Sequence, residues 1–278
     1  CNARNTGLKR ATGKYIGFCD NDDLYMENLI SDNMKLALQY EADVVRYSRV
    51  LRTIDGDNII SEELTGGYKS GFVKKADFKN FFGDINKSGE GIWAGIYKRS
   101  FLEENHIHFD ESMRFGYEDL YFVTQIYMCE PSVALNEKTY YCWLMRYQHS
   151  TSGKTDVNNT DSLIKCLELK EELINKLDIM KDEPQVWLEE LSKRIYTVVR
   201  YVSPVKIDMK LKNRMAFIKR FRASKVFSED FTSSQYKALK AQSKSGYLVL
   251  KLFMNRHYYI LYKLIILRQK NRIIWKKI

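Results

Sequence analysis

The sequence lacks three features that would set it apart from ordinary globular proteins. Nowhere among its 278 residues is there an uncharged apolar run of 18, so no segment is typical of a transmembrane helix. Its five cysteines include no C-x-x-C pair and no zinc-finger spacing, which indicates reduced thiols in a cytosolic protein. The composition, with 45% hydrophobic and 13% aromatic residues, is nevertheless sufficient for a sizeable core.

Acidic residues are scarce in the last third of the chain. From Lys193 onward there are 22 Lys and Arg residues but only 3 acidic ones, a net charge of +19, whereas residues 1–192 carry a net charge of −9. This asymmetry predicts an acidic catalytic half and a basic half that contacts an anionic partner. Nucleic acid and an anionic membrane surface both fit that description.

A short acidic cluster after a predicted strand carries most of the functional prediction. Residues 15–19 form an apolar run typical of a buried strand, and Asp20, Asp22 and Asp23 follow it, ahead of a helix predicted over residues 24–40. Open α/β sheets bind ligands at the carboxyl ends of their strands. Clustered carboxylates there favour a hard cation such as Mg²⁺ or Mn²⁺ that bridges to substrate phosphates. The alternative is a turn in which Asp22 or Asp23 caps the next helix.

A second acidic pair, Glu118 and Asp119, lies at the start of a predicted apolar helix over residues 120–128. A carboxylate at a helix N-terminus is favoured electrostatically, and this purely structural explanation stays open. Beside another acidic cluster, however, one of the pair could act as a general base, because a helix start would hold it rigidly.

Polar and basic residues near both clusters are candidates for phosphate or sugar contacts. Arg4 and Asn5 could contact a nucleotide, and Arg146 and His149 follow a predicted strand over residues 133–143, from where they could close over a diphosphate. A surface helix for the first pair and a solvated loop for the second are the alternatives.

The pattern changes to helical periodicity from about residue 156, which predicts a domain boundary between residues 153 and 154. Pro184 is placed to start a helix that ends before Pro204. Residues 246–278 are basic with an aromatic and aliphatic face, and we expect them to lie in the interface of an anionic membrane. The alternative is a helix packed on the protein's own core.

Taken together, these motifs resemble those of family 2 glycosyltransferases. Residues 3–8 (Ala-Arg-Asn-Thr-Gly-Leu) and 11–23 resemble the family's A-R-N-x-G and D-x-D-D segments. Further along, Trp93 resembles the segment before the family's base, and Glu118-Asp119 resembles its E-D pair. Tyr140-Tyr141 with Arg146 resembles the end of its catalytic domain. The resemblance implies an α/β nucleotide-sugar (GT-A) catalytic domain over residues 1–153 and a helical region over residues 154–278.

The resemblance also implies a role for each matched residue. Asp22 would be the direct ligand of Mg²⁺ or Mn²⁺, and Asp20 would lie nearer the ribose. Asp119 would be the catalytic base, with Glu118 beside it to orient the base or contact the acceptor, and Trp93 would line the acceptor pocket. The nucleotide sugar would be bound by six residues: Arg4, Asn5, Asp20, Asp22, Arg146 and His149.

The implied function is inverting transfer of a sugar from a UDP-sugar or similar donor. The acceptor would be a glycan or a polyprenyl-linked molecule in cell-surface polysaccharide synthesis, and the protein would lie in the cytoplasm at the inner face of the cytoplasmic membrane. No nucleic-acid partner is expected. The alternatives are a metal-dependent nucleotidyltransferase and an inactive remnant that only binds a partner.

One departure from the family pattern concerns the start of the chain. The A-R-N segment stands at the first residues, whereas the family places opening β-α-β units, with the acids that contact the uridine base, before it. The resemblance therefore predicts an N-terminally truncated fragment that is inactive or poorly folded, from a parent protein that is a transferase.

Overall fold

A computed structural model describes most of the chain: residues 1–88, 91–113, 116–146, 157, 159–204 and 206–275, without the side chains of 88 and 270–275. The chain divides into two compact units, Cys1–Lys154 and Thr155–Ile278. The first unit is a mixed α/β structure and the second consists of helices.

The first unit alternates strands with mostly short helices. Its strands are β1 (Tyr15–Gly17), β2 (Leu24–Tyr25), β3 (Val44–Asp55), β4 (Asn58–Thr65), β5 (Gly71–Val73), β6 (Gly95–Lys98) and β7 (Val133–Arg146). Its helices are α1 (Asn2–Arg10), α2 (Leu29–Gln39), α3 (Phe82–Ile85), α4 (Arg99–Glu104) and α5 (Glu118–Met128).

All seven strands of this unit form one mixed sheet in the order β1-β6-β3-β7-β2, with β4 added to β3 and β5 to β7. β3 and β7 run parallel, and the other pairs are antiparallel. β7 pairs first with β5 and further along with β2, which places β2 beside Tyr141 and Cys142. The loop between β1 and β2 therefore spans the two outer strands of the sheet order, and it contains the first acidic cluster.

The sequence explains the two long strands at the centre of this sheet. β3 begins with fully buried residues, including Val44, Val45 and Tyr47, and such β-branched and aromatic residues suit a strand covered on both faces. β3 then continues into a hairpin with β4 through the two-residue loop Gly56-Asp57. Gly56 has a φ of 57°, a conformation that glycine adopts without steric cost.

The second unit contains seven helices among the residues that the structure describes. They are α6 (Asn159–Lys176), α7 (Ile179–Asp182), α8 (Pro184–Tyr201), α9 (Leu211–Arg222), α10 (Ser233–Gln242), α11 (Lys244–Met254) and α12 (Tyr258–Trp275). α8 has its proline at the first position and buries one helical face, as predicted: Trp187, Leu188, Leu191, Ile195 and Val198.

The helix predicted over residues 24–40 is wrong at its start. Leu24–Tyr25 is a two-residue strand, and the helix begins only at Leu29. Its N-cap is Asn28, which makes no side-chain cap hydrogen bond. The interpretation of Asp22 or Asp23 as a helix cap is therefore also wrong, because pairing of residues 24–25 with β7 separates these acids from the helix.

The single basic helix predicted over residues 246–278 is in fact two helices, α11 and α12. α11 ends in a Schellman motif, in which His257 N–H donates to Leu252 C=O and Arg256 N–H donates to Phe253 C=O. Arg256 has a φ of 62°, the left-handed conformation that this motif requires. Among the described residues, no helix is long and apolar enough to cross a membrane.

Candidate active site

The first acidic cluster is fixed to the sheet through its last member. Asp23 accepts hydrogen bonds from the Tyr141 hydroxyl (2.6 Å) and from the backbone N–H of Leu144 (2.9 Å), both on β7. The Tyr141 oxygen in turn accepts a hydrogen bond from the backbone N–H of Asp20 at 3.2 Å. Burial raises the pKa of Asp23, while these two hydrogen bonds lower it. Asp23 therefore holds the loop in place, and its side chain is the member of the cluster that is bonded to β7.

Tyr141 and its neighbour Tyr140 provide a matched test of this anchoring. Tyr140 also donates a 2.6 Å hydrogen bond to a carboxylate, but its partner is the surface residue Asp32 on α2. We expect Tyr141→Phe to lower the free energy of unfolding by about 1–2 kcal/mol, because a buried hydrogen bond to a charged group is lost. The Phe variant should also lower catalytic turnover at least severalfold, as steady-state kinetics would show. Tyr140→Phe should leave turnover unchanged, and an equal loss in both variants would contradict the anchoring role.

Arg4 joins the two acidic clusters. Its guanidinium donates to Asp20 Oδ1, Glu118 Oε1 and Asp119 Oδ1, each at 2.9 Å. Its carbon Cζ also lies 5.5 Å from the centroid of the Phe109 ring. The sequence separations are 16, 114 and 115 residues, so the fold alone brings these groups together. One cation therefore contacts three carboxyl groups at this end of the sheet and offsets only part of their negative charge.

The start of α5 positions the second acidic pair through an unusual backbone. Gly116 has a φ of 105° and Tyr117, the N-cap residue, a φ of 68°. A left-handed conformation at a tyrosine costs energy, and such residues cluster at functional sites. They turn the chain so that Glu118 and Asp119 form the first turn of α5 and face Arg4.

The environment of Asp119 gives it the acid–base properties that a general base needs. The pKa of Asp119 is raised to about 7, mainly by burial; Arg4 opposes this rise, and the negative charges of Glu118 and Asp20 add to it. For Arg4, burial lowers the guanidinium pKa, but its carboxylate partners outweigh this effect and raise it overall. A base whose pKa lies near the working pH exchanges protons most effectively.

Trp93 links the first acidic cluster to an aromatic stack. Its Nε1–H donates to Asp20 Oδ2 at 3.1 Å, and its ring stacks on Tyr141 with centroids 5.4 Å apart and planes 13° from parallel. The Arg49 guanidinium lies near the rings of both Trp93 and Trp143, with its Cζ 4.4 Å from the Trp93 centroid and 5.4 Å from the Trp143 centroid. Both oxygens of Asp20 are thus bonded, one to Arg4 and one to Trp93.

Asp22 differs from its neighbours because its carboxylate is open to solvent. Its side chain is 51% exposed, and one carboxylate oxygen lies 3.9 Å from Arg146 Nη1. Within the described ranges, no group of three or more His, Cys, Asp or Glu side chains could hold a metal ion. Magnesium sites, however, use one or two carboxylates together with substrate phosphates. The exposed oxygens of Asp22 therefore suit such a shared site.

The structure brings together most, but not all, of the predicted site residues. Arg4, Asp20, Trp93, Glu118 and Asp119 form one connected group, and Asp22 lies near Arg146. His149 lies outside the described residues.

Asn5 lies apart from that group. Its side chain is buried, donates to Phe109 C=O and Glu111, and accepts from Phe109 N–H. It lines a cavity of about 900 Å³ whose lining includes none of the acids of the two clusters.

Sequence reasoning missed the parts that Asp23, Tyr141 and Arg49 play in the site. Asp23 stood out only as one acid among three, and Tyr141 only as part of the end of the domain. Asp23 and Tyr141 lie 118 residues apart in the sequence, so no local pattern could pair them. The aromatic residues of β7 were the available signal, since a tyrosine that is buried on a strand usually needs a hydrogen-bond partner.

The fold of the chain is similar to that of a solved protein, S. aureus TarS. A crystal structure of S. aureus TarS 1–349 in complex with UDP-GlcNAc covers 92% of this chain with a TM-score of 0.53 and 16% identity, over 71% of the TarS chain. A structure of S. aureus TarS gives a TM-score of 0.54 and covers 95% of this chain. The sheet of the first unit and the helical region that follows therefore belong to a GT-A-like fold, as the family resemblance implied.

In sequence, the chain is similar to glycosyltransferases. The model for glycosyl transferase family 2 matches residues 1–105. A glycosyltransferase of Escherichia coli (strain K12), YibD, is 24% identical over 267 residues, which cover 89% of this chain and 70% of YibD. Bacillus subtilis EpsJ, another glycosyltransferase, is 26% identical over 144 residues, or 50% of this chain and 40% of EpsJ. Residues 1–105 thus match the family that the motifs of the chain resemble.

Proposed function

We propose that the chain transfers a sugar, with inversion, from a nucleotide-diphospho-sugar to a hydroxyl group of an acceptor. The observation that carries the proposal is the convergence of Asp20, Glu118 and Asp119 on Arg4 at 2.9 Å. One acidic cluster can then serve the donor while the other serves the acceptor. The complex of TarS with UDP-GlcNAc supports a UDP-sugar as the donor.

The reaction is a single displacement at the anomeric carbon. Asp119 accepts the proton of the acceptor hydroxyl, and the oxygen forms a bond to the anomeric carbon as the bond to the diphosphate oxygen breaks. The electron pair leaves with the nucleoside diphosphate, and the configuration at the carbon inverts. Glu118, the neighbour of Asp119 in the first turn of α5, orients the base or contacts the acceptor, and Trp93 lines the acceptor pocket.

A divalent cation, Mg²⁺ or Mn²⁺, would supply Lewis-acid stabilisation of the departing diphosphate. Asp22 suits direct coordination, because its carboxylate is half exposed. Asp20 is the second candidate ligand, but both of its oxygens already accept hydrogen bonds, which supports a place nearer the ribose. Arg4 and Arg146 would contact the negatively charged donor, whereas the side chain of Asn5 is already bonded to Phe109 and Glu111 and is no longer proposed as a donor contact. The donor contact predicted for His149 falls outside the described residues.

The acceptor that we propose is a glycan or a polyprenyl-linked molecule in cell-surface polysaccharide synthesis. The protein would then work in the cytoplasm, at the inner face of the cytoplasmic membrane. The family resemblance and the net charge of +19 from Lys193 onward support this setting, since a basic surface attracts anionic lipids.

A donor screen tests the function and the role of Asp22 together. The chain is incubated with single nucleotide sugars and Mn²⁺, with water in place of the acceptor hydroxyl, and release of nucleoside diphosphate is measured. We expect turnover with at least one UDP-sugar, a result that would refute the prediction of an inactive fragment. Asp22→Ala should lower turnover about 100-fold or more, because direct metal ligands contribute several kcal/mol to the transition state. Asp57→Ala, in the hairpin loop between β3 and β4, is the control and should keep parental turnover. Near-parental turnover of Asp22→Ala would exclude the proposed metal ligand.

A further inference from the structure

The solvent-facing side of α12 carries a row of large apolar side chains. Tyr259, Ile260, Leu264 and Leu267 are 50%, 51%, 42% and 57% exposed, and we call them the α12 stripe. At 100° per residue they lie on the side of the helix opposite to a second apolar row. That second row is at most 9% exposed and packs within the second unit: Tyr258, Leu261, Tyr262 and Ile265. Core packing therefore explains one apolar face of α12 and not the other.

All charged residues of the segment that carries the α12 stripe have the same sign. The last 48 residues, after Asp230, contain 11 Lys and Arg residues and no acidic residue. Lys263 lies between the members of the stripe, and its Nζ is 5.4 Å from the centroid of the Tyr259 ring. Arg256 and Arg268, before and after it on the chain, are also exposed. Aliphatic residues, a tyrosine and basic side chains on one helix face are typical of helices that lie in a membrane interface.

We propose that the α12 stripe is a docking surface for an anionic lipid bilayer, with its apolar side chains at the boundary between the lipid headgroups and the acyl chains. A second copy of the chain fits less well, because the last 48 residues offer no acid to balance the basic residues on the facing copy. Nucleic acid would use the cations but would leave the apolar side chains in water. Anionic lipid satisfies both parts of the surface.

The proposed membrane contact lies on one helix, α12. α11 buries Leu250, Phe253 and Met254, and only Leu248 on it is a strongly exposed large apolar residue (47%). The proposed membrane face is therefore the α12 stripe and not the whole of residues 246–278. It rests on the proposed function only for its biological setting, since an enzyme with a lipid-linked acceptor must reach the bilayer surface. Vesicle binding itself is independent of sugar transfer.

The test is co-sedimentation of the chain with vesicles of phosphatidylcholine alone or mixed with phosphatidylglycerol. We expect binding to the mixed vesicles only, weakened by salt. The double variant Ile260→Glu, Leu267→Glu should bind about 100-fold more weakly, and Lys263→Gln about fivefold. Leu211→Glu is the control, because Leu211 is a similarly exposed leucine (45%) on α9, and it should bind as the parent does. Circular dichroism and thermal unfolding would verify that each variant is folded.

Several results would overturn the proposal. The first is that the parent does not bind the mixed vesicles. The second is that the double variant binds them as the parent does, or that Leu211→Glu loses as much binding as the double variant. The third is that the parent forms a dimer and binds no vesicles, while the double variant is a monomer. Binding to duplex DNA without binding to vesicles would also overturn it. Turnover in the donor screen is read separately, so a chain that binds vesicles but transfers no sugar would refute the proposed function and leave this inference standing.

Discussion

Replacing Asp119 by asparagine is expected to lower kcat for sugar transfer by about 10²–10⁴-fold, the usual contribution of a general base. The amide has nearly the shape of the carboxylate but cannot accept the proton of the acceptor hydroxyl. Donor affinity should change little, because the base acts on the acceptor. Steady-state kinetics with the donor found in the screen, together with donor binding by calorimetry, would measure both effects.

The pH dependence identifies the base independently of the size of this loss. The pKa of Asp119 is raised to about 7, and only the ionised form accepts a proton, so parental kcat/KM should rise tenfold per pH unit below pH 7 and level off above it. Asp119→Asn should lack this acid limb, whereas Asp57→Asn should keep it with parental rates. An unchanged acid limb in Asp119→Asn would assign the base to another residue.

Replacing Arg4 by glutamine is expected to weaken both the fold and the reaction. The change leaves Asp20, Glu118 and Asp119 without the cation that each contacts at 2.9 Å. Loss of one partner from a fully buried ion pair costs about 3–5 kcal/mol, and since Arg4 is 25% exposed we expect about 2 kcal/mol at pH 8. Chemical denaturation at pH 8 and at pH 5 would measure the loss.

The loss in Arg4→Gln should depend on pH with a definite sign. Without Arg4 the pKa of Asp119 rises further, so the folded variant takes up protons that the unfolded chain releases at the same pH. The deficit should therefore be smaller at pH 5 than at pH 8, and the acid limb of kcat/KM should move to higher pH. Arg10→Gln, at the exposed end of α1, is the control and should behave like the parent. A shift of the limb to lower pH would contradict the role of Arg4.

Local sequence patterns were sufficient to predict the site residues that lie directly beside a predicted strand or helix. Residues 15–17 are a strand, with the acids just beyond it, and Glu118 begins a helix, as the apolar runs on either side indicated. Family motifs added the function, because they record which of several acidic clusters belong together. The match of residues 1–105 to the family model and the GT-A-like fold confirmed the resemblance, while the roles of the individual acids stay predictions.

The features that could not be predicted depend on residues far apart in the sequence. The strand Leu24–Tyr25 exists only because β7 pairs with it, and two residues carry no period of their own. Arg4 was expected near the nucleotide, yet its three carboxylate partners follow from the folded geometry alone. The helix end at Arg256 was missed because a basic residue, not glycine, adopts the left-handed conformation there.

The hydrogen bond between Asp23 and Tyr141 has a consequence for the order of folding. It joins residues 118 apart, and the contact of Arg4 with Asp119 joins residues 115 apart. Closing such long loops costs entropy that only the completed sheet repays. During synthesis, which runs from the N-terminus, β7 is the last strand of the sheet to emerge, so the acids of the site are made early but held in place late. The catalytic geometry should therefore be among the final structures that the first unit acquires.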